Sequence, residues 1–243
     1  MTNSHKQDVI ANNIANSDTN GFRRHMATFR ERPMASEEIP GGMRWSNPFY
    51  DNLGGGTFVM PTRTDLSPGA LETTNNRTDI AMMGDGMLAV ERGGRQYLTR
   101  SGGMLINTNG DLVLATDPGA RVLDRSLQPI NLPVQAHSDL NIASDGTIAV
   151  RGQAVSQLAV KRPPETGITK HHGTLMEVGE IAVLPDSEDT RIAQGVVEMS
   201  NVDPTTELAA MIETQRSLEA NANILRMQDS SLQRLVNEVG KIS

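Results

Sequence analysis

The sequence predicts a mainly β central domain with N- and C-terminal α-helices, the two ends forming an α-helical, coiled-coil-like assembly region. Three observations carry this prediction. Short apolar runs of strand length recur between 57 and 199, separated by turn-forming residues. A narrow apolar stripe at helical spacing opens the chain, and a far longer one with heptad spacing closes it. The boundaries that follow are 1–30 for the N-terminal helix and its continuation, 31–56 for a variable connector, 57–199 for an antiparallel β-rich domain and 200–243 for the C-terminal heptad helix.

From Ser4 to Asn16, Val9, Ile10 and Ile14 line one side of a short helix. Asp18-Thr19-Asn20-Gly21 ends it, because Asn and Gly accept left-handed backbone geometry. So short a helix is marginal alone in water and needs a partner surface.

In the middle, Met87–Glu91 and Gln96–Thr99 flank Arg92-Gly93-Gly94-Arg95 as a hairpin. Met104–Ile106 and Leu112–Leu114 flank Asn107-Thr108-Asn109-Gly110-Asp111. Leu140–Ile142 and Thr147–Val150 meet across Ser144-Asp145-Gly146, and Gln157–Val160 and Glu180–Leu184 read as further short strands. No helical pattern separates these strands, so antiparallel pairing is expected. Pro163-Pro164 and Glu165–Gly173 read as a surface loop. With aromatics at 3% and hydrophobic residues at 37%, the core is expected to rely on Val, Ile, Leu and Met.

Asp203-Pro204 is a strong helix start, Asp203 capping and Pro204 at the first helical position. Met211, Leu218, Leu225, Leu232 and Val239 then fill every d position of a heptad repeat. The a positions are mixed: Leu208, Gln215, Ala222, Asp229 and Val236. A helix from Pro204 to Val239 runs about 50 Å at 1.5 Å per residue, too long for the small β domain to cover. The N-terminal helix, neighbouring copies or both are therefore expected against it.

Composition excludes several classes. A net charge of −7, from 22 basic and 29 acidic residues, lacks the basic surface of a nucleic-acid binder. The absence of cysteine excludes disulfides, thiolate catalysis and thiolate metal sites. No stretch approaches the roughly 18 apolar residues of a membrane span, so the chain is not expected to be an integral membrane protein. The first residues lack the basic and apolar regions of a conventional secretion signal. His171-His172 has no accompanying ligand pattern, and Asn107–Asp111 and Asp145-Gly146 read as turns rather than calcium loops. Gly54-Gly55-Gly56 lacks the Lys of a phosphate loop, and Ser200 and Ser217 lack a base partner. Asn76-Arg77-Thr78 matches a glycosylation sequon, a weak three-residue signal. No catalytic, cofactor or metal residue is expected.

The ends carry a resemblance. Asn12-Asn13-Ile14-Ala15-Asn16, followed by Thr19-Asn20-Gly21-Phe22-Arg23, resembles the N-terminal signature of the flagellar rod and hook proteins. Glu198-Met199-Ser200-Asn201-Val202-Asp203, with Glu207-Leu208 and Gln215-Arg216-Ser217-Leu218-Glu219-Ala220-Asn221-Ala222, is similar to their C-terminal signature. Between them, Pro68-Gly69-Ala70-Leu71, Thr78-Asp79-Ile80-Ala81, Gly84-Asp85-Gly86 and Tyr97-Leu98-Thr99-Arg100-Ser101-Gly102 match the family's middle segments. The size of the middle resembles a rod protein more than a hook protein, with the distal-rod and neighbouring proximal-rod proteins fitting best. Residue 1 aligns inside the family's first helix, so upstream family residues are expected to be missing. Met87-Leu88 replaces an aromatic pair, and Pro33–Gly56, with Trp45 and Phe49, matches poorly.

This resemblance implies a non-enzymatic subunit of the flagellar basal-body rod in the periplasm, exported by the flagellar type III apparatus and assembled helically to transmit torque. The terminal helices would pair in an inner tube with the β domain outside. Expected partners are copies of itself, other rod proteins, the hook protein and the surrounding ring proteins, with no nucleic acid. Assembly contacts are expected at Asn13, Ile14, Asn16 and Phe22, and at Met211, Leu218, Glu219, Asn221, Ala222, Leu225 and Leu232. Asn12, Asn13 and Asn16 read either as plain polar helix positions or, as the resemblance favours, as hydrogen-bonding groups at a close helix seam. The alternatives are a hook or other flagellar axial protein and, more distantly, a β-rich carbohydrate-active enzyme, for which no acid–base carboxylate pair stands out.

Overall fold

A computed structural model of the chain describes residues 2–32, 56–133, 139–164, 168–187 and 189–239, with backbone alone at 170–172, 235, 236, 238 and 239. The sequence reading of Trp45, Phe49, Gly54 and Gly55, and of the side chains of His171, His172, Val236 and Val239, falls outside this description. In chain order the first elements are α1 (Thr2–Ala15), β1 (His25–Glu31), β2 (Thr57–Thr64), β3 (Leu71–Thr73), β4 (Ile80–Met83), β5 (Met87–Arg92) and β6 (Arg95–Thr99). Then come β7 (Met104–Ile106), β8 (Leu112–Leu114), β9 (Arg121–Val122), β10 (Leu140–Ile142), β11 (Thr147–Val150) and β12 (Gln153–Gln157). The last are β13 (Val160–Lys161), β14 (Thr169–His172), β15 (Leu175–Glu177), β16 (Arg191–Gln194), β17 (Val196–Glu198) and α2 (Pro204–Val239).

The described residues of 1–15, 25–65 and 203–243 form one unit, and those of 16–24 and 66–202 form a second. In the first, α1 packs on α2, and β1 pairs antiparallel with β2. α1 buries Val9, Ile10 and Asn13. Its 14 residues span about 21 Å against about 54 Å for the 36 of α2. Burial along α2 follows that mismatch: Glu207 and Thr214 are buried, Ala210, Met211 and Leu218 half-buried, and each described side chain beyond Leu218 is exposed. The covered stripe therefore runs Glu207–Met211–Thr214–Leu218. It uses two of the expected d positions, Met211 and Leu218, but within the chain none of the expected a positions Leu208, Gln215, Ala222 and Asp229, which are exposed. Thr214 is tolerated there because its hydroxyl donates to the Ala210 carbonyl at 2.8 Å.

The second unit is built around an antiparallel sheet of order β14-β15-β6-β5-β9-β8-β7, with β13 also pairing with β5. A three-stranded sheet β10-β11-β12 and the pairs β4–β16 and β3–β17 complete it. On β5, Leu88 and Val90 enter one core cluster while Met87 and Ala89 enter another, so both faces of the central sheet are covered. The clusters are aliphatic apart from Tyr97 and several methionines, as the composition requires. Gly93 and Gly94, at φ +58° and +77°, form the two-residue turn between β5 and β6 that only left-handed residues can make.

Three sequence expectations are corrected. Gln157–Val160 is not one strand: β12 stops at Gln157 and β13 begins at Val160. Between them the chain leaves one sheet for another, Leu158 N–H donating to Gly146 O and Ala159 N–H to Leu123 O. Glu180–Leu184 contains a 3-10 turn, Ile181–Val183, in which only Ile181 is buried, so its apolar residues do not alternate across a sheet. Within the loop expected over Glu165–Gly173, Thr169–His172 is strand β14, folding back through Gly173-Thr174 onto β15.

Candidate assembly interface

Asn13 anchors the first unit. Its carboxamide Nδ2 donates to the His25 carbonyl at 2.9 Å and to Glu207 Oε2 at 3.2 Å, while Oδ1 accepts from the His25 N–H at 2.9 Å. One amide thus ties α1 to the start of β1 and to the first turns of α2. The buried Glu207 carboxylate acquires a donor in return, which is what makes its burial tolerable. The start of α2 is capped as expected. Asp203 Oδ1 accepts from Thr205 N–H and Oδ2 from the Thr206 hydroxyl. These bonds, the hydroxyl first, hold the Asp203 carboxyl below its ordinary value.

In the second unit the residues after α1 are built into the β-rich body. Gly21 N–H donates to Glu198 O at 2.7 Å, and Asn201 N–H donates to Phe22 O. Gly21 has φ +70°, and a Cβ there would lie 2.2 Å from Ser101 N, so both conformation and space require glycine. Asn201 Oδ1 accepts from Arg24 N–H at 2.7 Å, and its Nδ2 donates to Ser67 O at 2.9 Å.

Beneath this lies a buried charge cluster. Glu198 Oε1 is 2.6 Å from Arg23 Nη2 and accepts from Gly69 N–H at 2.9 Å, and Oε2 is 3.4 Å from Arg100 Nη1. Arg23 and Glu198 are almost completely sequestered, and Arg100 also donates to Met82 O and Gly84 O. Burial pushes the Arg100 guanidinium below its ordinary value, Glu198 opposes that shift, and Arg23 adds to it. Two buried cations share one carboxylate.

The residues expected at contacts fall into two sets. Asn13 and Phe22 are buried within the chain, and Ile14, Asn16, Met211 and Leu218 are half-buried. Asn16 closes the turn after α1, accepting from the Thr19 N–H and hydroxyl. Glu219, Asn221, Ala222, Leu225 and Leu232 are exposed, Gln215 reaching Glu219 at 3.5 Å along the helix surface. Sequence reasoning did not single out Glu207, Glu198, Arg23, Arg100 or Asn201 as structural centres. The available signal was opposite charge in the two terminal signatures, Arg23 in one and Glu198 in the other.

The remaining polar motifs serve local structure. Asn107 Oδ1 accepts from the N–H groups of Asn109 and Asp111, and Asp145 Oδ1 from Thr147 N–H. Ser200 Oγ accepts from Val202 N–H, and Ser217 Oγ donates to Glu213 O. Among the described residues, no group of three or more His, Asp or Glu side chains could hold a metal, and no helix is long and apolar enough to cross a membrane.

Three segments match known families. Residues 1–23 match the family described as flagella basal body rod protein, residues 81–150 the flagellar hook protein FlgE/F/G D1 domain, and residues 193–238 the flagellar basal body rod FlgEFG protein C-terminal region. The flagellar basal-body rod protein FlgG of Bacillus subtilis is 32% identical over 251 residues, covering 96% of this chain and 92% of the relative. FlgG of Borreliella burgdorferi is 29% identical over 93% of this chain and 89% of the relative. The rod protein FlgF of Caulobacter vibrioides is 28% identical over 100% of this chain and 95% of the relative.

Proposed function

Because the chain belongs to the flagellar basal-body rod protein family, we propose that it acts in the rod by burying the uncovered length of α2 against neighbouring subunits in a helical array. It is a structural subunit of the basal-body rod, not an enzyme, and it assembles with other flagellar components. The observation that carries the finer reading is the apolar surface left on α2. Ile224, Leu225 and Leu232 are 54%, 62% and 59% exposed in the single chain, on the part of the helix that lies beyond the reach of α1. Apolar side chains repeated along one helix are costly to leave in water and mark a contact surface.

In this reading Glu219, Asn221, Ala222, Leu225 and Leu232 meet other subunits in a coiled-coil-like packing. Asn13, Ile14, Asn16 and Phe22, with Met211 and Leu218, fix the helix and turn geometry that presents them. The neighbours are copies of this chain and other rod proteins, with the hook protein and the surrounding rings adjoining them. Delivery is by the flagellar type III export apparatus. Torque passes along the array across the periplasm.

Leu225→Asp tests the assignment, because a carboxylate in a packed seam lacks a partner. A tagged variant is expected to fall out of purified basal bodies while the β-rich unit keeps its fold by NMR. Incorporation equal to wild type overturns the seam. A second reading, a hook or other axial position, draws on the match of residues 81–150 to a domain shared with the hook protein. Imaging the tag on basal bodies that lack a hook separates the two.

A further inference from the structure

The β1–β2 ribbon of the first unit has two unlike faces. Its register sets Arg30 opposite Phe58, Thr28 opposite Met60 and Met26 opposite Arg63. Strand β2 takes one extra residue between Met60 and Arg63, where the Thr28 hydroxyl donates to Pro61 O at 2.6 Å. This bulge brings Arg63 onto the same side as Met60. Arg32 N–H donates to Gly56 O, which carries the ladder one step further and puts Arg32 on that side too.

The opposite side belongs to α1: the Phe29 ring meets His5 edge-on at 6.3 Å, and α1 packs against both strands. Glu31, the single carboxylate in the two strands, alternates to that side. What faces away from α1 is therefore three exposed arginines around Met26, Met60 and Phe58, which are 39%, 38% and 49% exposed. Arg32 lies 5.7 Å from the Phe58 ring centre, and Arg63 stands beside Met26 at the other end.

We propose that this face is a peripheral membrane contact that takes anionic phospholipid. Charge selects the occupant: three cations without a carboxylate, on a chain of net charge −7, concentrate positive potential on one face. Geometry selects a lipid surface over a protein helix. A two-stranded ribbon presents a face rather than the groove that holds a helix. Arginine stems at both ends of the apolar strip let the guanidinium heads reach phosphates while Phe58 and Met60 enter the acyl boundary. The exposed length of α2 takes no part, so this proposal and the rod reading stand or fall separately.

The test floats the full chain with vesicles of phosphatidylcholine alone, or of phosphatidylcholine and phosphatidylglycerol in equal parts. Wild type should rise with the mixed vesicles only, and about 1 M salt, with a Debye length of about 3 Å, should release it. Arg30→Gln and Arg63→Gln should each weaken partitioning about fivefold, from about 1 kcal/mol per cation at an anionic surface. Phe58→Ser should weaken it at unchanged charge. The α1 amide signals, read by NMR in each variant, check that the ribbon keeps its packing. Wild type absent from the mixed vesicles overturns the proposal, and if Arg30→Gln and Arg63→Gln also drop out of rods, the face is a protein contact instead. Binding that all three variants retain in full overturns the assignment to this face.

Discussion

Glu198→Gln removes one charge from the buried cluster while preserving its shape. Arg23 and Arg100 are then both buried with no carboxylate between them, since Glu198 is their shared partner. Breaking a buried ion pair by removing one member costs about 3–5 kcal/mol. With a urea slope of about 2 kcal/mol/M, the unfolding midpoint of the β-rich unit should fall by about 1.5–2.5 M. Arg23→Met should cost less, because it leaves one cation facing one carboxylate. The double variant should be more stable than the sum of the two single losses predicts, by about 0.5–3 kcal/mol of coupling. The assay is a urea titration followed through the amide signals of Leu88 and Leu112, both fully buried in the β-rich core. A midpoint within about 0.5 M of wild type, or strictly additive losses, would refute the claim that Glu198 compensates both arginines.

Two further outcomes follow from the helix junction. Asn13→Leu removes one hydrogen bond each from the His25 N–H, the His25 C=O and the Glu207 carboxylate, which should destabilise the first unit by about 1.5–4.5 kcal/mol at about 0.5–1.5 kcal/mol per lost hydrogen bond. Urea titration of the α1 amide signals reads this, and an unchanged midpoint rejects the junction. Asp203 has a lowered folded pKa, so its capping contribution is present above the unfolded value near 3.8 and lost as pH falls through the lower folded value. Amide exchange at Thr205 and Thr206 should accelerate across that acid window in wild type. In Asp203→Ala it should already be fast at neutral pH, and equal profiles would count against the cap.

The terminal helices and local hairpins were readable because their signals are local. Asp203-Pro204 marks a helix start, and Gly93-Gly94 a turn, without reference to any distant residue. The pairs β3–β17 and β4–β16 were not readable: Leu71–Thr73 meets Val196–Glu198, and Ile80–Met83 meets Arg191–Gln194, across most of the domain. Nothing in so short a strand specifies a partner that far away. The stripe of α2 covered within the chain lies one residue from the heptad's a positions for a related reason. Periodicity counts apolar residues, so it preferred Leu208 and Gln215's heptad to a stripe containing Glu207 and Thr214. A buried carboxylate satisfied by Asn13, and a hydroxyl satisfied by its own helix, become acceptable only once those partners are in place. Arg23 and Glu198 were visible in the two signatures, but their burial was not.

The bond from Arg24 to Asn201 joins residues 177 apart. Closing a flexible loop of that length costs about 4–5 kcal/mol of chain entropy before any contact is returned. The β-rich unit is thus a high-contact-order structure whose first and last pieces complete one another. A chain emerging N-terminus first from a narrow conduit would present Gly21–Arg24 early, with their partners around Glu198 and Asn201 still inside. Folding of that unit therefore acts as a length gauge: it cannot finish until the residues around Glu198 have cleared the exit.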